Sequence, residues 1–195
     1  MLGGGGNVGA IQVGMLRALF EADIHPDIVV GCSAGALNGA AFCARPDLDG
    51  IARLTATWEG LADRPGGLMP SSRMPSPVQI VRKGESLHSN ADLVETIEDF
   101  MDGITTFEEL SIPFQCVATD IDRASEEWFG EGRLIEPMLA SSAIPAVFPT
   151  VEIDGRRYLD GGVVNNVPVS RAIELGADRV VVCHVGLHGR PEAEI

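Results

Sequence analysis

The stretch Ile28-Val29-Val30-Gly31-Cys32-Ser33-Ala34-Gly35 changes character in its middle. Three β-branched apolar residues come first, as in a buried parallel strand. Residues 34–44 follow and are mostly Ala, Gly and Leu, which suits a tightly packed helix. The pattern Gly-x-Ser-x-Gly lies at the junction, where a sharp strand-to-helix turn would expose a serine hydroxyl at the edge of a sheet. The stretch therefore predicts an α/β fold and makes Ser33 a candidate nucleophile.

The residues around Ser33 suit that chemistry. A serine hydroxyl is a poor nucleophile until a base removes its proton. Gly31 and Gly35 leave room for a tight turn, and the N-terminus of the following helix places N–H groups near a developing anion. The alternative is an incidental serine in a turn built of small residues.

The rest of the chain alternates between helical and strand patterns, which predicts an α/β layer fold. Helices are expected at residues 9–22, 34–44, 48–61, 90–101, 134–143 and 166–176. Strands are expected at residues 28–30, 114–119 and 179–185, with a hairpin of 151–153 and 156–159 around Asp154-Gly155. A length of 195 residues predicts a single domain over 1–195. The domain is expected to be truncated at both ends, because the glycine run begins at Gly3 and residues 189–195 are polar.

Residues 62–90 interrupt the alternation. Four prolines lie there, at positions 65, 70, 75 and 77, so the segment is predicted to be an irregular loop or a lid rather than one regular element. As a lid it would bring Leu68, Met69 and Met74 over an apolar site. The alternative is a solvated connection.

The composition excludes several classes of function. The net charge of −14 disfavours nucleic acid and gives no basic patch to recruit a lipid surface. No apolar run approaches the roughly 20 residues of a membrane span, and no signal peptide is visible, so a cytoplasmic location is expected. Four cysteines are predicted to be reduced and partly buried, and their spacing indicates no zinc site: Cys32, Cys43, Cys116 and Cys183.

A glycine run at Gly3–Gly9 opens the chain. It matches the dinucleotide pattern G-x-G-x-x-G, but that site needs a full strand before it and an acidic residue about 20 positions on. The place of that acidic residue is occupied by Val29-Val30-Gly31, which leads into the turn at Ser33 instead. We therefore expect an oxyanion hole, in which backbone N–H groups converge on a carbonyl oxygen. A disordered tail is the alternative.

A base for Ser33 can be sought among one aspartate and four histidines. Asp160-Gly161-Gly162 follows an apolar pair, although a lone Asp at a turn is usually a cap. The order Ser33, Asp160, His184 would suit a hydrolase triad, but His184 lies inside a predicted strand and is expected to hydrogen-bond locally. The other histidines have no compelling setting: His25, His88 and His188. A Ser-Asp dyad stays open beside the triad.

Three ordered motifs together resemble the patatin-like phospholipase family: Gly3–Gly9, the turn at Ser33, and Asp160-Gly161-Gly162. The run from Ala140 to Pro149 and the pair Asn165-Asn166 are similar to that family as well. The resemblance implies a three-layer α/β/α fold with a mostly parallel sheet. One departure is Val8, where the family usually has Lys or Arg before the last glycine of the run.

The resemblance also implies a chemistry. Ser33 would be the nucleophile, Asp160 the base, and Gly4, Gly5 and Gly6 the donors of the oxyanion hole. Five further glycines belong to the motifs: Gly9, Gly31, Gly35, Gly161 and Gly162. The substrate would be a lipid or acyl ester, cleaved with no metal or cofactor and with at most transient membrane contact. The alternatives are a Ser-His-Asp esterase, a non-catalytic lipid-binding module and a dinucleotide-binding module.

Overall fold

The structure of the chain is a computed structural model that describes residues 1–63 and 90–186. Its helices are α1 (Ala10–Glu21), α2 (Ala34–Ala44), α3 (Leu48–Asp63), α4 (Asn90–Met101), α5 (Ile135–Ser142), α6 (Gly162–Asn165) and α7 (Val169–Glu174). Its strands are β1 (Val29–Cys32), β2 (Phe114–Asp120), β3 (Ser125–Phe129), β4 (Val151–Ile153) and β5 (Arg156–Asp160). Short 3-10 turns occur at Gly6–Gly9 and Phe107–Glu109.

The sheet is covered by helices on both faces, as neighbouring residues of β2 demonstrate. Successive side chains of a strand point to opposite faces. The ring of Phe114 packs against Gly39 in α2, whereas Gln115 Oε1 accepts a hydrogen bond from Arg171 Nε in α7 at 2.9 Å. Helix α5 also packs on the sheet, and α3 and α4 pack against α2. The predicted α/β class, with a central sheet between helices, is confirmed.

Strand β2 organises the sheet. It pairs in parallel with β1, from Val29↔Phe114 to Cys32↔Val117, and antiparallel with β3 and β5, while β4 pairs antiparallel with β5. The sheet is therefore mixed rather than mostly parallel. Strand β3 spans positions 116–120 of β2 and overlaps both β1 and β5. Because a strand has only two edges, β1 and β5 share the other edge of β2, one after the other.

Leu2 extends the sheet beyond β1. It forms parallel bridges with Gly31 on one side and with Cys183 on the other. The strand predicted at residues 179–185 is not formed. Within that range Cys183 alone makes a β-bridge, to Leu2. Pairing stops there because the chain after Leu2 leaves the sheet as the glycine run, where Gly4 N donates to Asn166 O instead.

The other predicted elements can be compared with the observed ones. The first five helices are confirmed within a few residues, and so is the hairpin, where Asp154 and Gly155 both have positive φ. The helix predicted at 166–176 is confirmed as α7, which begins directly after Pro168 and ends at Glu174. The short helix α6, which precedes the predicted range, was not predicted. Strand β3 was not predicted.

Some predictions lie outside the described residues: the segment between 64 and 89, with Leu68, Met69, Met74 and His88, and His188 near the end. The single domain and the cytoplasmic location stay predictions. Within residues 1–63 and 90–186, no helix combines the length and apolarity needed to cross a membrane. The four cysteines are free, as expected, and all four are buried.

A glycine in α2 tests how closely this helix packs on the sheet. A Cβ at Gly39 would lie 2.8 Å from the Phe114 ring. We expect Gly39→Ala to lower the free energy of unfolding by about 1–3 kcal/mol, because the buried ring must move. Gly60→Ala in α3 is the control, since a Cβ there meets nothing within 4 Å; it should raise stability by about 0.5–1 kcal/mol. Urea denaturation of both variants measures the difference, and equal effects would contradict the packing.

Candidate functional site

Ser33 occupies a strained turn between β1 and α2. Its backbone has φ 53° and ψ −125°, a region that non-glycine residues rarely adopt and that costs about 1–3 kcal/mol. Its carbonyl accepts the N–H groups of Ala36 and Leu37. A Cβ at Gly31 would lie 2.6 Å from the Gly35 carbonyl, so the strand and the helix approach here as only glycine permits. The predicted strand–turn–helix setting is present.

Asp160 lies directly opposite the turn. It is the last residue of β5 and pairs with Ala118, while β1 ends at Cys32 opposite Val117. The two strands therefore meet at adjacent residues of β2. Ser33 Oγ donates a hydrogen bond to Asp160 Oδ2 at 2.6 Å.

Further hydrogen bonds fix the carboxylate and its backbone. Gly162 N donates to Asp160 Oδ1 at 2.7 Å, and Thr119 Oγ1 donates to the Asp160 carbonyl at 2.8 Å. A Cβ at Gly161 would strike the backbone carbonyl of Val117. Only glycine therefore lets the chain after Asp160 pass so close to β2.

Burial changes the chemistry of Asp160, which is 5% exposed. Loss of water raises the pKa of its carboxyl to about 6, and the hydrogen bonds from Ser33 and Gly162 oppose that rise. A carboxylate of this pKa is a stronger base than an exposed one, yet it is mostly ionised at neutral pH. The pair can therefore pass a proton from the serine hydroxyl to the carboxylate.

The described histidines stand apart from this pair. Both carboxylate oxygens of Asp160 are occupied, by Ser33 and by Gly162. His184 lies against Gly3, and its Nδ1 is buried with no hydrogen-bond partner among the described residues. The expectation that it hydrogen-bonds locally is not met at that atom. His25 contacts the exposed Asp23.

The glycine run passes close to Ser33. A Cβ at Gly4 would lie 3.2 Å from the Ser33 Cβ and would overlap Asn166 Oδ1. The Gly4 N–H donates to the Asn166 carbonyl at 3.1 Å, so it is not free for an oxyanion. Within the described chain the N–H groups of Gly5 and Gly6 donate to no acceptor, and Gly6 has φ 53°.

A buried polar network holds both ends of this run. Gln12 Nε2 donates to the Gly3 carbonyl at 2.7 Å. Asn38 Nδ2 donates to the Gly9 carbonyl at 2.9 Å and to Gln12 Oε1 at 2.8 Å. Trp58 Nε1 donates to Asn38 Oδ1 at 2.7 Å. Because each buried polar atom in it has a partner, the network is rigid and fixes the run against α1, α2 and α3.

Sequence reasoning did not identify the roles of several residues at the site, among them Gln12, Asn38, Ser141 and Asn166. Gln12 and Asn38 are polar residues inside otherwise apolar or small-residue helical patterns, and both are fully buried. That contrast is a signal that could have revealed them. Ser141 and Asn166 belong to segments that resembled the family, but nothing in their spacing indicated what they contact.

Two remaining features of the site concern charge and metals. Val8 is 46% exposed and brings no charge to the 3-10 turn at the end of the glycine run. Within residues 1–63 and 90–186, no group of three or more His, Cys, Asp or Glu side chains is placed to hold a metal ion.

Comparisons with known proteins place this geometry in context. The family model described as patatin-like phospholipase matches residues 1–173. Neuropathy target esterase sws of Drosophila melanogaster is 31% identical over 95% of this chain and 13% of its own length. Lysophospholipase nte1 of Aspergillus terreus is 29% identical over 95% of this chain and 12% of its own. The chain thus spans about an eighth of such relatives.

A solved structure is also similar. VipD from Legionella pneumophila matches with a TM-score of 0.56 and 18% identity, over 86% of this chain and 46% of its own. At that identity the match concerns the fold alone.

The raised pKa of Asp160 predicts a pH-dependent stability. Between about pH 4 and 6 the unfolded chain ionises this carboxyl while the folded chain keeps the proton, so stability falls as pH rises through this window. Asp160→Asn removes the effect. As pH rises from 4 to 7, we expect the free energy of unfolding of the variant to increase by about 1–3 kcal/mol relative to that of the parent. Urea denaturation at both pH values measures this change.

Ser111→Ala is the control, because Ser111 is exposed and its replacement removes no ionisable group. Its stability difference from the parent should stay constant across the same range. If the stability difference between Asp160→Asn and the parent is equally constant, the raised pKa of Asp160 is contradicted.

Proposed function

Since the chain belongs to the patatin-like phospholipase family, we propose that it hydrolyses lipid acyl esters with Ser33 and Asp160 as a catalytic dyad. The observation that carries this proposal is the 2.6 Å hydrogen bond from Ser33 Oγ to Asp160 Oδ2 at a strained strand-to-helix turn. The dyad is preferred to the alternative with His184, because Ser33 Oγ donates directly to Asp160 and, in the described part of the chain, no hydrogen bond joins His184 to either residue.

The first step forms an acyl-enzyme. Ser33 Oγ attacks the ester carbonyl while its proton passes to Asp160 Oδ2. The tetrahedral intermediate then collapses, the C–O bond to the alcohol breaks, and Asp160 returns its proton to the leaving alkoxide. The fatty acyl group stays on Ser33 as an ester.

The second step releases the fatty acid. A water molecule takes the place of the alcohol and gives a proton to Asp160 as its oxygen attacks the acyl carbonyl. Collapse of the second tetrahedral intermediate breaks the bond to Ser33 Oγ, which recovers the proton from Asp160. The Gly162 N–H on Oδ1 keeps the carboxylate oriented through both steps.

The glycine run serves as the oxyanion hole in this proposal. Gly5 and Gly6 supply the N–H groups, since theirs are free in the described chain. Gly4, which was expected to be a third donor, is not one in this proposal, because its N–H is hydrogen-bonded to the Asn166 carbonyl. Its contribution is the absence of a side chain, which lets the run approach Ser33.

The proposed substrate class is the glycerophospholipids, including lysophospholipids. The family description names a phospholipase, and the Aspergillus relative is named a lysophospholipase. The net charge of −14 favours zwitterionic or neutral head groups over anionic ones. Val8 agrees with this choice, because it leaves the loop without a cation for a charged head group.

Removal of the nucleophile tests the proposal. We expect Ser33→Ala to abolish release of fatty acid from lysophosphatidylcholine and labelling by a fluorophosphonate probe, since no acyl-enzyme can form. Ser111→Ala is the control, because Ser111 is exposed and remote in sequence from Ser33 and Asp160. This variant should hydrolyse the substrate and react with the probe at the rates of the parent.

Other outcomes would favour the alternatives. Hydrolysis that persists in Ser33→Ala would contradict the proposal. Fatty-acid binding by the parent without any labelling or turnover would favour a non-catalytic lipid-binding module. Loss of activity in His184→Ala with retention in Asp160→Asn would favour a base other than Asp160.

The proposed base predicts a pH profile. Asp160 acts only when ionised, and its pKa is about 6, so kcat/KM should fall below pH 6 with a midpoint near that value. An ordinary aspartate would give a midpoint near pH 4. The profile is measured with a soluble acyl ester, and His184→Ala should leave the midpoint unchanged. A midpoint that disappears in that variant would assign the titration to histidine.

A further inference from the structure

The last turn of α5 contacts both members of the proposed dyad. Ser33 N donates to Ser141 Oγ at 3.0 Å. Asp160 N donates to the Ala143 carbonyl at 2.9 Å, and Gly161 N donates to the Ser141 carbonyl at 3.3 Å. One short segment of chain therefore holds the nucleophile through a side chain, and the base and the glycine after it through one backbone carbonyl each.

The strained turn explains why Ser33 needs this partner. The β1–β2 ladder ends at Cys32↔Val117, so the Ser33 N–H lies beyond it. Ser33 is 6% exposed, and a buried N–H without an acceptor costs about 1–3 kcal/mol. Ser141 is fully buried and supplies the acceptor.

The neighbouring serine has no such contact. Ser142 is also buried, at 5% exposure, but its hydroxyl has no hydrogen-bond partner in the described part of the chain. Two adjacent buried residues of the same type in the same turn of α5 thus differ at their hydroxyls: Ser141 accepts a hydrogen bond from the nucleophile and Ser142 does not. The pair is a natural comparison of packing with positioning.

We propose that Ser141 is a positioning residue that holds the backbone of Ser33 in its strained conformation and thereby sets the distance from Ser33 Oγ to Asp160 Oδ2. It does not touch the substrate and takes no part in proton transfer. Without its hydroxyl the turn can relax, Ser33 Oγ moves, and the 2.6 Å hydrogen bond lengthens. This inference rests on the proposed Ser33–Asp160 dyad.

The test compares Ser141→Ala with Ser142→Ala in the 195-residue chain, with a soluble acyl ester as substrate. Ser141→Ala should lower kcat by about 10–100-fold with KM changed less than about twofold, because misplacement of the nucleophile affects the chemical step and not binding. Ser142→Ala should keep kcat and KM within about twofold of the parent values. It should also be as stable as the parent or slightly more so, since it removes an unpaired hydroxyl.

The pH profile separates positioning from a merely structural role. The hydrogen bond from Ser33 lowers the pKa of Asp160, so its loosening must raise that pKa. The acidic midpoint of kcat/KM should therefore move to higher pH in Ser141→Ala and stay in place in Ser142→Ala. Destabilisation of the fold by itself would not move the midpoint.

Reactivity of Ser33 is read independently from the rate of fluorophosphonate labelling, normalised to folded protein. It should fall with kcat in Ser141→Ala. Should that variant not fold, Ser141→Cys keeps the volume with a weaker acceptor and should show the same changes at smaller size.

Specific results would overturn the inference. One is a folded Ser141→Ala or Ser141→Cys variant whose kcat, pH midpoint of kcat/KM and labelling rate equal those of the parent. The other is an equal loss of kcat in the Ser141 and Ser142 variants. Failure of the proposed function itself is distinct, because hydrolysis and labelling would then persist in Ser33→Ala.

Discussion

The site depends on one constraint of the sheet, the shared edge of β2. Strand β1 runs parallel to β2 and ends opposite Val117, and β5 runs antiparallel and ends opposite Ala118. The two strands arrive from opposite directions and cannot continue past each other. Their last residues meet, which brings Ser33 to Asp160 although 127 positions separate them in the sequence. A sheet in which β1 and β5 lay on different edges would keep these residues apart.

That meeting point is energetically unfavourable in isolation. Ser33 has a strained backbone, and Asp160 is a carboxylate removed from water, which raises its pKa. Each unfavourable feature is balanced by hydrogen bonds: the Ser33 N–H has Ser141, and both carboxylate oxygens of Asp160 have donors. The same features suit the pair to the proposed chemistry, since a partly desolvated carboxylate beside a fixed hydroxyl is a better base than an exposed one.

The glycine run is held by a different part of the molecule. Gln12, Asn38 and Trp58 come from three helices and connect the carbonyls at both ends of the run, leaving its middle free to present N–H groups. Preorganised donors of this kind stabilise a developing anion without reorganisation. The proposed dyad and the run thus have largely separate supports, which are joined at the turn and by the hydrogen bond from Gly4 N to the Asn166 carbonyl.

The sequence by itself determined the local chemistry: the elbow at Ser33, the glycines that permit close backbone approach, most of the helices, and the hairpin at Asp154. These depend on short-range rules of turn and packing, which a local pattern carries. The tertiary structure decided the rest. The antiparallel arrival of β5, the loss of the Gly4 N–H to Asn166, and the choice of Ser141 over Ser142 all depend on contacts between segments far apart in the chain. No local pattern records such contacts, because identical neighbours acquire different partners only when the sheet is assembled.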